Sequence, residues 1–485
     1  MDTKINSNKE LSIWEALIPV AALITMLGYN VYIFEDNALG GSNQFILLLG
    51  ATVAAIVGYF NKVSFSKMLD EVAENIKSTT GAILILLMVG ALAGTWLVSG
   101  IIPSMIYYGL QILSPAIFLP ATLIICSVIS ISTGSSWTTS ATVGIALIGI
   151  GGALGFDKGM IAGAVISGAY FGDKLSPMSD TTNLAPAMAG TDLFTHIKYM
   201  SLTTVPSYIV TLILFIILGL TIETSGIADS STLLNDIQKS FHITPWLFLV
   251  PVIVIGLIVK KTEPLVALLI GTLLAGIFAI IFQPEIVLML SGGKSLNFAN
   301  AYKGILNAIT TDSVIPTENE TLTDLFKSGG MQKMLGTIWL ILCAMVFGGI
   351  MDAIGALSRI SQALLKMAKS TFGLFASTVG SCLALNITAS DQYLAIVVPG
   401  KMFSKAYKDK GLAPENLSRT LEDSGTVTSV LIPWNTCGAY QSGTLGVDTF
   451  DYLPYAFFNI ISPFMTLIFA AFNIKIKQLA SSVKN

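Results

Sequence analysis

Two clusters of hydroxyls and carboxylates stand out in a chain that otherwise avoids polar chemistry. The first, STGSSWTTS at 132–140, carries hydroxyls on seven of its nine residues and lies inside a stretch, 78–156, without any Asp, Glu, Lys, Arg or His. Hydroxyls and exposed carbonyls can replace the hydration shell of a small cation without adding fixed charge. The plain alternative is a loop between two spans, but a surface turn would recruit charge, so backbone lining a cavity fits better. The second cluster, GDKLSPMSDTTNLAP at 172–186, reads as a discontinuous helix: an apolar half at 159–171, a polar break, and a second half starting near Ser176 and Pro177. Half-helix ends aim dipoles and free carbonyls at a bound ion. Asp173 beside Lys174 is either a local ion pair or part of a site. Asp180 is the stronger candidate, because Thr181, Thr182 and Asn183 follow it and no basic residue adjoins it.

Two further segments, NITASDQ at 386–392 and LSRTLEDSGTVTSVLIPWNTCGAY at 417–440, repeat the theme. Asp391 abuts the apolar run 393–399, which places it at membrane depth, where an ionised Asp on a lipid-facing helix costs roughly 2.5–3.5 kcal/mol. Side chains tolerated at that cost face a cavity or a partner. Arg419 stands three residues before Glu422 and four before Asp423, a spacing for a helical salt bridge. The other reading is a carboxylate at the mouth of a second broken helix, followed by Thr426, Thr428, Asn435 and Thr436. A proton and a small cation can compete for one desolvated carboxylate. Asp180 and Asp391 are therefore the expected shared acids, with Ser135, Ser136, Thr182, Asn183 and Thr388 as neutral oxygen ligands. Asp173, Arg419, Glu422, Asp423 and Asn435 are candidates for coupling or substrate contact. The chain contains neither H-E-x-x-H nor G-x-S-x-G, Phe171-Gly172-Asp173 lacks the extra glycine of an intramembrane aspartyl protease, and Leu288 stands where Gly293-Lys294-Ser295 would need a Walker glycine. No enzyme chemistry and no cofactor is expected. His196 and His242 read as loop residues.

The elements that position these groups follow from composition. Of the 485 residues 53% are hydrophobic and 11% charged, and mean hydropathy is +0.75. Soluble chains carry roughly 25% charge, so a soluble enzyme, a nucleic-acid binder and a disordered chain are excluded, and an all-α polytopic protein of the lipid bilayer remains. A net charge of −3 points to no polyanionic partner. Apolar runs at 14–34, 43–60, 81–102, 115–131, 201–222, 245–259, 264–282, 335–351, 371–389 and 452–472, with shorter pieces between them, predict ten to twelve crossings. The first run follows the N-terminus without a small-residue cleavage site. Lys4 and Lys9 before it, no Lys or Arg at 35–42, and Lys62, Lys67 and Lys77 after the second run put the N-terminus in the cytoplasm. By the same alternation Lys198 and Lys260–Lys261 fall inside and the acidic loop 223–244 outside. The loop 283–333 would also fall outside, against its four lysines. The stretch 62–77 mixes apolar and charged residues at helical spacing and predicts an amphipathic surface helix. Cys126, Cys343, Cys382 and Cys437 stand singly in apolar runs and read as small core residues.

At an offset of 255, Gly81 falls on Gly336, Gly94 on Gly349, Thr133 on Thr388 and Ser135 on Ser390, and after a five-residue gap Asp173 falls on Asp423. The turn at 100–114 has no Lys or Arg, whereas its counterpart at 355–370 holds Arg359, Lys366 and Lys369. Matching turns of opposite sidedness predict two inverted-topology repeats, near 81–200 and 336–446, within a single transporter domain over 1–485. A substrate site would then lie at the repeat interface.

Three long segments, GSSWTTSATVGIALIGIGG at 134–152, SGAYFGDKLSPMSDTTNLAPAMAG at 167–190 and LSRTLEDSGTVTSVLIPWNTCGAY at 417–440, resemble the NhaC-type sodium/proton antiporter family of the wider ion-transporter superfamily. The likeness runs over about 14–472. It implies a bacterial plasma-membrane exchanger that moves cytoplasmic Na+ against external H+ by alternating access. It also implies re-entrant hairpins with tips at 133–138 and 388–392, and helix breaks at 173–183 and 422–435. Other members of that family couple protons or sodium to small organic acids such as malate and lactate, and some are assigned to amino acids. Lys174 and Arg419 keep the organic-acid reading open unless neighbouring acids consume both. Oligomeric state leaves no readable mark, and a homodimer stays open.

Overall fold

The structure, a computed structural model, describes residues 11–34, 40–222, 230–318 and 320–479. Lys4 and Lys9, where the sidedness argument starts, lie outside the described residues, as does 223–229 of the acidic loop. Apolar runs become helices because a chain leaving water must satisfy its backbone internally. The N-terminal part comprises α1 (Ile13–Phe34), α2 (Ser42–Phe60) and α3 (Phe65–Ser78). The last is the expected amphipathic helix. Ser64 caps it by accepting from the Lys67 amide at 3.3 Å, Met68, Val72 and Asn75 are buried on one face, and Lys67, Asp70, Glu74 and Lys77 are exposed on the other.

The next eight helices are α4 (Thr80–Val98), α5 (Ile101–Ile112), α6 (Pro115–Thr133), α7 (Ser136–Thr139), α8 (Ile145–Ala153), α9 (Lys158–Leu175), α10 (Asp180–Ala189) and α11 (Leu193–Thr221), with a π-turn, Ser140–Gly144, joining α7 to α8. A middle section follows: α12 (Ser230–Ser240), α13 (Leu249–Val259), α14 (Pro264–Phe282), α15 (Pro284–Ser291), α16 (Phe298–Thr310) and α17 (Glu320–Leu325). Two-residue strands β1 (Ser313–Val314) and β2 (Lys327–Ser328) pair antiparallel around α17, with Ser313 opposite Ser328. The last eight helices are α18 (Gly330–Ala353), α19 (Ala356–Lys366), α20 (Thr371–Thr388), α21 (Gln392–Asp409), α22 (Pro414–Leu421), α23 (Thr436–Leu445), α24 (Thr449–Tyr452) and α25 (Phe457–Ala471). A π-turn at Glu422–Thr426 and a 3-10 turn at Ser429–Leu431 lie between α22 and α23.

Some elements of 80–221 have counterparts of similar length over 330–471. α5 and α19 both start from a left-handed glycine, Gly100 at φ 81° and Gly355 at φ 78°. α10 and α23 are each ten residues long, begin at a polar cap, Ser179 or Asn435, and stop at a left-handed glycine, Gly190 or Gly446. Eight helices among the described residues are long and apolar enough to cross a membrane, and ten if each of two bent pairs counts as one span. The expected ten to twelve crossings is met only at its lower end. Buried hydroxyls along these spans bond back to the carbonyl four residues earlier, as Ser127 does to Leu123 at 2.7 Å and Thr378 to Leu374 at 2.8 Å. Helices α6 and α9 pack closely because α9 carries glycines at the contact. A Cβ on Gly168 would come within 2.4 Å of the Leu123 carbonyl oxygen, and one on Gly172 within 2.5 Å of that of Ser127. All four cysteines are buried and free.

Candidate functional site

The first hydroxyl cluster forms a tight tip. Helix α6 ends at Thr133, Gly134 turns the chain at φ 69°, and Ser135 caps α7 by accepting from the Thr138 amide at 3.2 Å. The tip faces the break between α9 and α10 so closely that a Cβ on Gly134 would meet that of Met178 at 2.7 Å. Ser136 crosses to α9, its amide (3.1 Å) and hydroxyl (2.6 Å) both donating to Oδ2 of Asp173. Asp173 is buried, and its Oδ1 has no hydrogen-bond partner among the described residues. Thr182 and Asn183 hold the break itself. The Thr182 hydroxyl donates to the carbonyls of Asp173 and Lys174, each at 3.2 Å, and the Asn183 amide to those of Pro177 (3.0 Å) and Ser179 (2.6 Å).

Asp180 opens α10 and is exposed rather than buried; its Oδ2 accepts the hydroxyl of Tyr393, from the first turn of α21. A cavity of about 640 Å³ lies against these groups, lined by Thr133, Ser135, Ser136, Asp173, Asp180 and Tyr393, with Lys261 and Glu263 also on its wall. It therefore gathers Ser135, Ser136, Asp173 and Asp180 of the expected set. Asp391, Thr388, Thr182 and Asn183 are not among its lining residues. Asp391 is buried one step outside, where Oδ1 caps α21 by accepting from the Leu394 amide at 3.0 Å, and the Thr388 hydroxyl bonds back to Ala384 at 2.8 Å. Among the described residues no group of three or more His, Cys, Asp or Glu is arranged to hold a metal ion. An ion in this cavity would be met by carboxylate and hydroxyl oxygens together.

Deeper in the molecule the two halves are joined by charge. Lys174 and Asp423, both fully buried, form an ion pair. The Ser462 hydroxyl accepts from Lys174 at 3.2 Å and donates to Asp423 Oδ1 at 3.3 Å, while Thr203 (2.7 Å) and Thr466 donate to Oδ2. Neither local pairing read from sequence forms. Lys174 turns away from Asp173 toward Asp423. Arg419 bonds neither Glu422 nor Asp423: all three of its guanidinium nitrogens lack partners among the described residues, and the group sits 4.7 Å from the Tyr199 ring, 5.7 Å from Phe469 and 6.0 Å from Phe375. The guanidinium is directed instead at rings from three other helices, Tyr199 of α11, Phe375 of α20 and Phe469 of α25. Asn435 caps α23 by accepting from the Cys437 amide at 3.0 Å, and its own amide reaches the Asn386 carbonyl at 3.1 Å, tying the second break to α20.

Sequence reasoning passed over Tyr393, Thr203, Ser462 and Thr466. A signal existed for the last two: Asn459, Ser462 and Thr466 fall at i, i+3 and i+7 on the otherwise apolar α25, a polar stripe that a buried charge requires. His196, read as a loop residue, is buried in the first turn of α11 with Nδ1 2.8 Å from the Ser418 hydroxyl.

The fold and the cavity define an all-α, multi-pass membrane protein with buried polar groups gathered at its helix breaks. A family model described as the Na+/H+ antiporter family matches residues 168–474, and the chain belongs to that family. It is 38% identical over 423 residues to the Na(+)/H(+) antiporter NhaC of Alkalihalophilus pseudofirmus, covering 87% of this chain and 88% of the relative. Identity to the Na(+)/H(+) antiporter NhaC of Bacillus subtilis is 35% over 399 residues, covering 82% and 85%. The Malate-2H(+)/Na(+)-lactate antiporter of Bacillus subtilis is also 35% identical, over 428 residues and 88% of both chains. The solved structure of Neisseria gonorrhoeae MtrF aligns at a TM-score of 0.36 and 14% identity over 83% of both chains.

Proposed function

We infer that this chain exchanges Na+ for H+ across a bacterial plasma membrane, with the cavity at the α6–α7 tip as the ion site and Asp173 as its principal acid. One observation carries the reading: Asp173 is buried with one oxygen fixed by Ser136 and the other unpartnered, in a cavity wall that also holds Ser135 and Asp180. A carboxylate set among hydroxyls suits a small, hard monovalent cation. The cavity is also lined by Ser78, Lys261, Thr262 and Glu263, from the loops that the lysine distribution assigns to the cytoplasm, so it opens inward to receive cytoplasmic Na+. The repeats near 81–200 and 336–446, related by inversion, would rock against each other to expose the site outward. Exchange of small organic acids is less well supported, because Lys174 is held by Asp423, Arg419 does not line the cavity, and Lys261 on its wall stands among three acids, Asp173, Asp180 and Glu263.

The test is a pH-sensitive dye in proteoliposomes holding a proton gradient, offered sodium, lithium, malate and lactate separately. Sodium alone is expected to move protons. A response only to malate or lactate would overturn the reading.

A further inference from the structure

Glu422 has no role in the site described so far, yet among the described residues it is the fully buried acid with neither oxygen hydrogen-bonded. The Thr426 hydroxyl, one turn on, lies near it but short of hydrogen-bonding geometry. The charged groups facing it are Lys174 and Asp173 from α9 and Asp423 from its own turn. Lys174 is committed to Asp423 and Ser462, so it supplies no direct counter-ion. Arg419, on α22, is turned into Tyr199, Phe469 and Phe375. The other elements against this turn offer no charge: α25 brings Ser462 and Thr466 to Asp423, α21 brings Ala395 and Ile396 against Gly425, and α20 brings Cys382 and the Asn386 amide, which binds the Gly425 carbonyl at 2.8 Å. The ionisable side chain of α10, Asp180, is exposed and bonded to Tyr393.

A carboxylate without donor or counter-ion is costly in such a place, and a proton on the acid removes the charge. Resting on the Na+/H+ reading above, we propose that Glu422 carries the exchanged proton, apart from the Na+ ligands at Asp173 and Asp180. The arrangement couples the two ions. Na+ arriving at Asp173 adds positive charge within electrostatic range of Glu422, which favours the ionised acid and releases H+. Departure of Na+ restores the protonated acid. No ligand has to be shared: one O–H bond on Glu422 breaks as one cation binds at Asp173, and the proton passes to water on the side that the cavity faces. The π-turn fits this duty, because such bulges in a helix occur frequently at functional sites.

The proposal is tested with full-length Glu422→Gln in proteoliposomes, measured two ways: exchange of 22Na+ against unlabelled Na+ at equal pH, and Na+-driven proton movement by dye. Wild type should do both; if it shows no Na+-driven proton movement, the Na+/H+ reading itself fails, independently of Glu422. Given wild-type coupling, E422Q is expected to keep 22Na+ exchange at saturating Na+ within about twofold of wild type, with half-saturating Na+ raised because a neutral side chain no longer favours the cation, while Na+-driven proton movement falls at least about tenfold. Retained coupling in E422Q would overturn the proposal. So would loss of both activities in a variant that elutes as wild type, since Glu422 would then lie on the Na+ path. Should E422Q not fold, Glu422→Asp keeps the acid but withdraws it by one methylene, and is expected to shift the pH midpoint of exchange without changing 22Na+ exchange. An unchanged midpoint would equally overturn the proposal.

Discussion

Asp173 and Asp423 fall on each other when the two halves are matched, and both sit at a helix discontinuity, but their surroundings differ completely. Asp423 is saturated: Lys174 and Ser462 hold one oxygen, Thr203 and Thr466 the other. Asp173, a residue of the cavity wall, has two donors on one oxygen, both from Ser136; among the described residues its other oxygen has no hydrogen-bond partner, the nearby Ser179 hydroxyl lying short of hydrogen-bonding geometry. Two acids paired by the sequence offset are thus a closed strut in one place and an open carboxylate in the other. The difference lies in what faces the acid across the interface. α9 sends a lysine to Asp423, whereas no basic group is bonded to Asp173.

The comparison breaks most visibly at Lys174. Lys174→Met leaves Asp423 buried with hydroxyl donors only, and is expected to lower stability in detergent by about 3–5 kcal/mol, the range for stripping one partner from a buried pair. Thermal or denaturant unfolding measures it, and adding Asp423→Asn should recover part of the loss by removing the stranded charge. If K174M were as stable as wild type, the hydroxyls alone would satisfy Asp423 and the strut description would fail. A smaller effect sharpens the open half. The Tyr393 hydroxyl competes with any cation for Asp180 Oδ2, so Tyr393→Phe is expected to lower half-saturating Na+ by up to about fivefold, worth roughly 1 kcal/mol. No change would remove that oxygen from the cation's ligands.

Much of this molecule is legible in sequence because a bilayer protein must write its spans as apolar runs and its breaks as polar interruptions within them. All ten expected runs are helical, the stretch 62–77 is the amphipathic α3, and the hydroxyl cluster at 132–140 is the turn that meets Asp173. Side-chain partners were less legible. Sequence proximity offered Asp173 with Lys174 and Arg419 with Glu422 or Asp423, but Lys174 crosses to Asp423 instead, and Arg419 is turned into the rings of Tyr199, Phe469 and Phe375, all distant from it in sequence. Asp391 looked like a ligand for the same reason that it makes a good cap: a short carboxylate just before an apolar helix. Tyr393 beside it looked like one more aromatic of an apolar run, and only the packing of α21 against α10 brings it to Asp180.

The central claim is that the unpartnered oxygen of Asp173 receives Na+. It is tested most directly by 22Na+ uptake against Na+ concentration for Asp173→Asn in proteoliposomes, beside wild type at the same pH. Losing the ionised ligand while keeping its shape should raise half-saturating Na+ by about ten- to a hundredfold, the equivalent of roughly 1.5–3 kcal/mol. A D173N protein with wild-type half-saturation would contradict the assignment of the ion to this cavity.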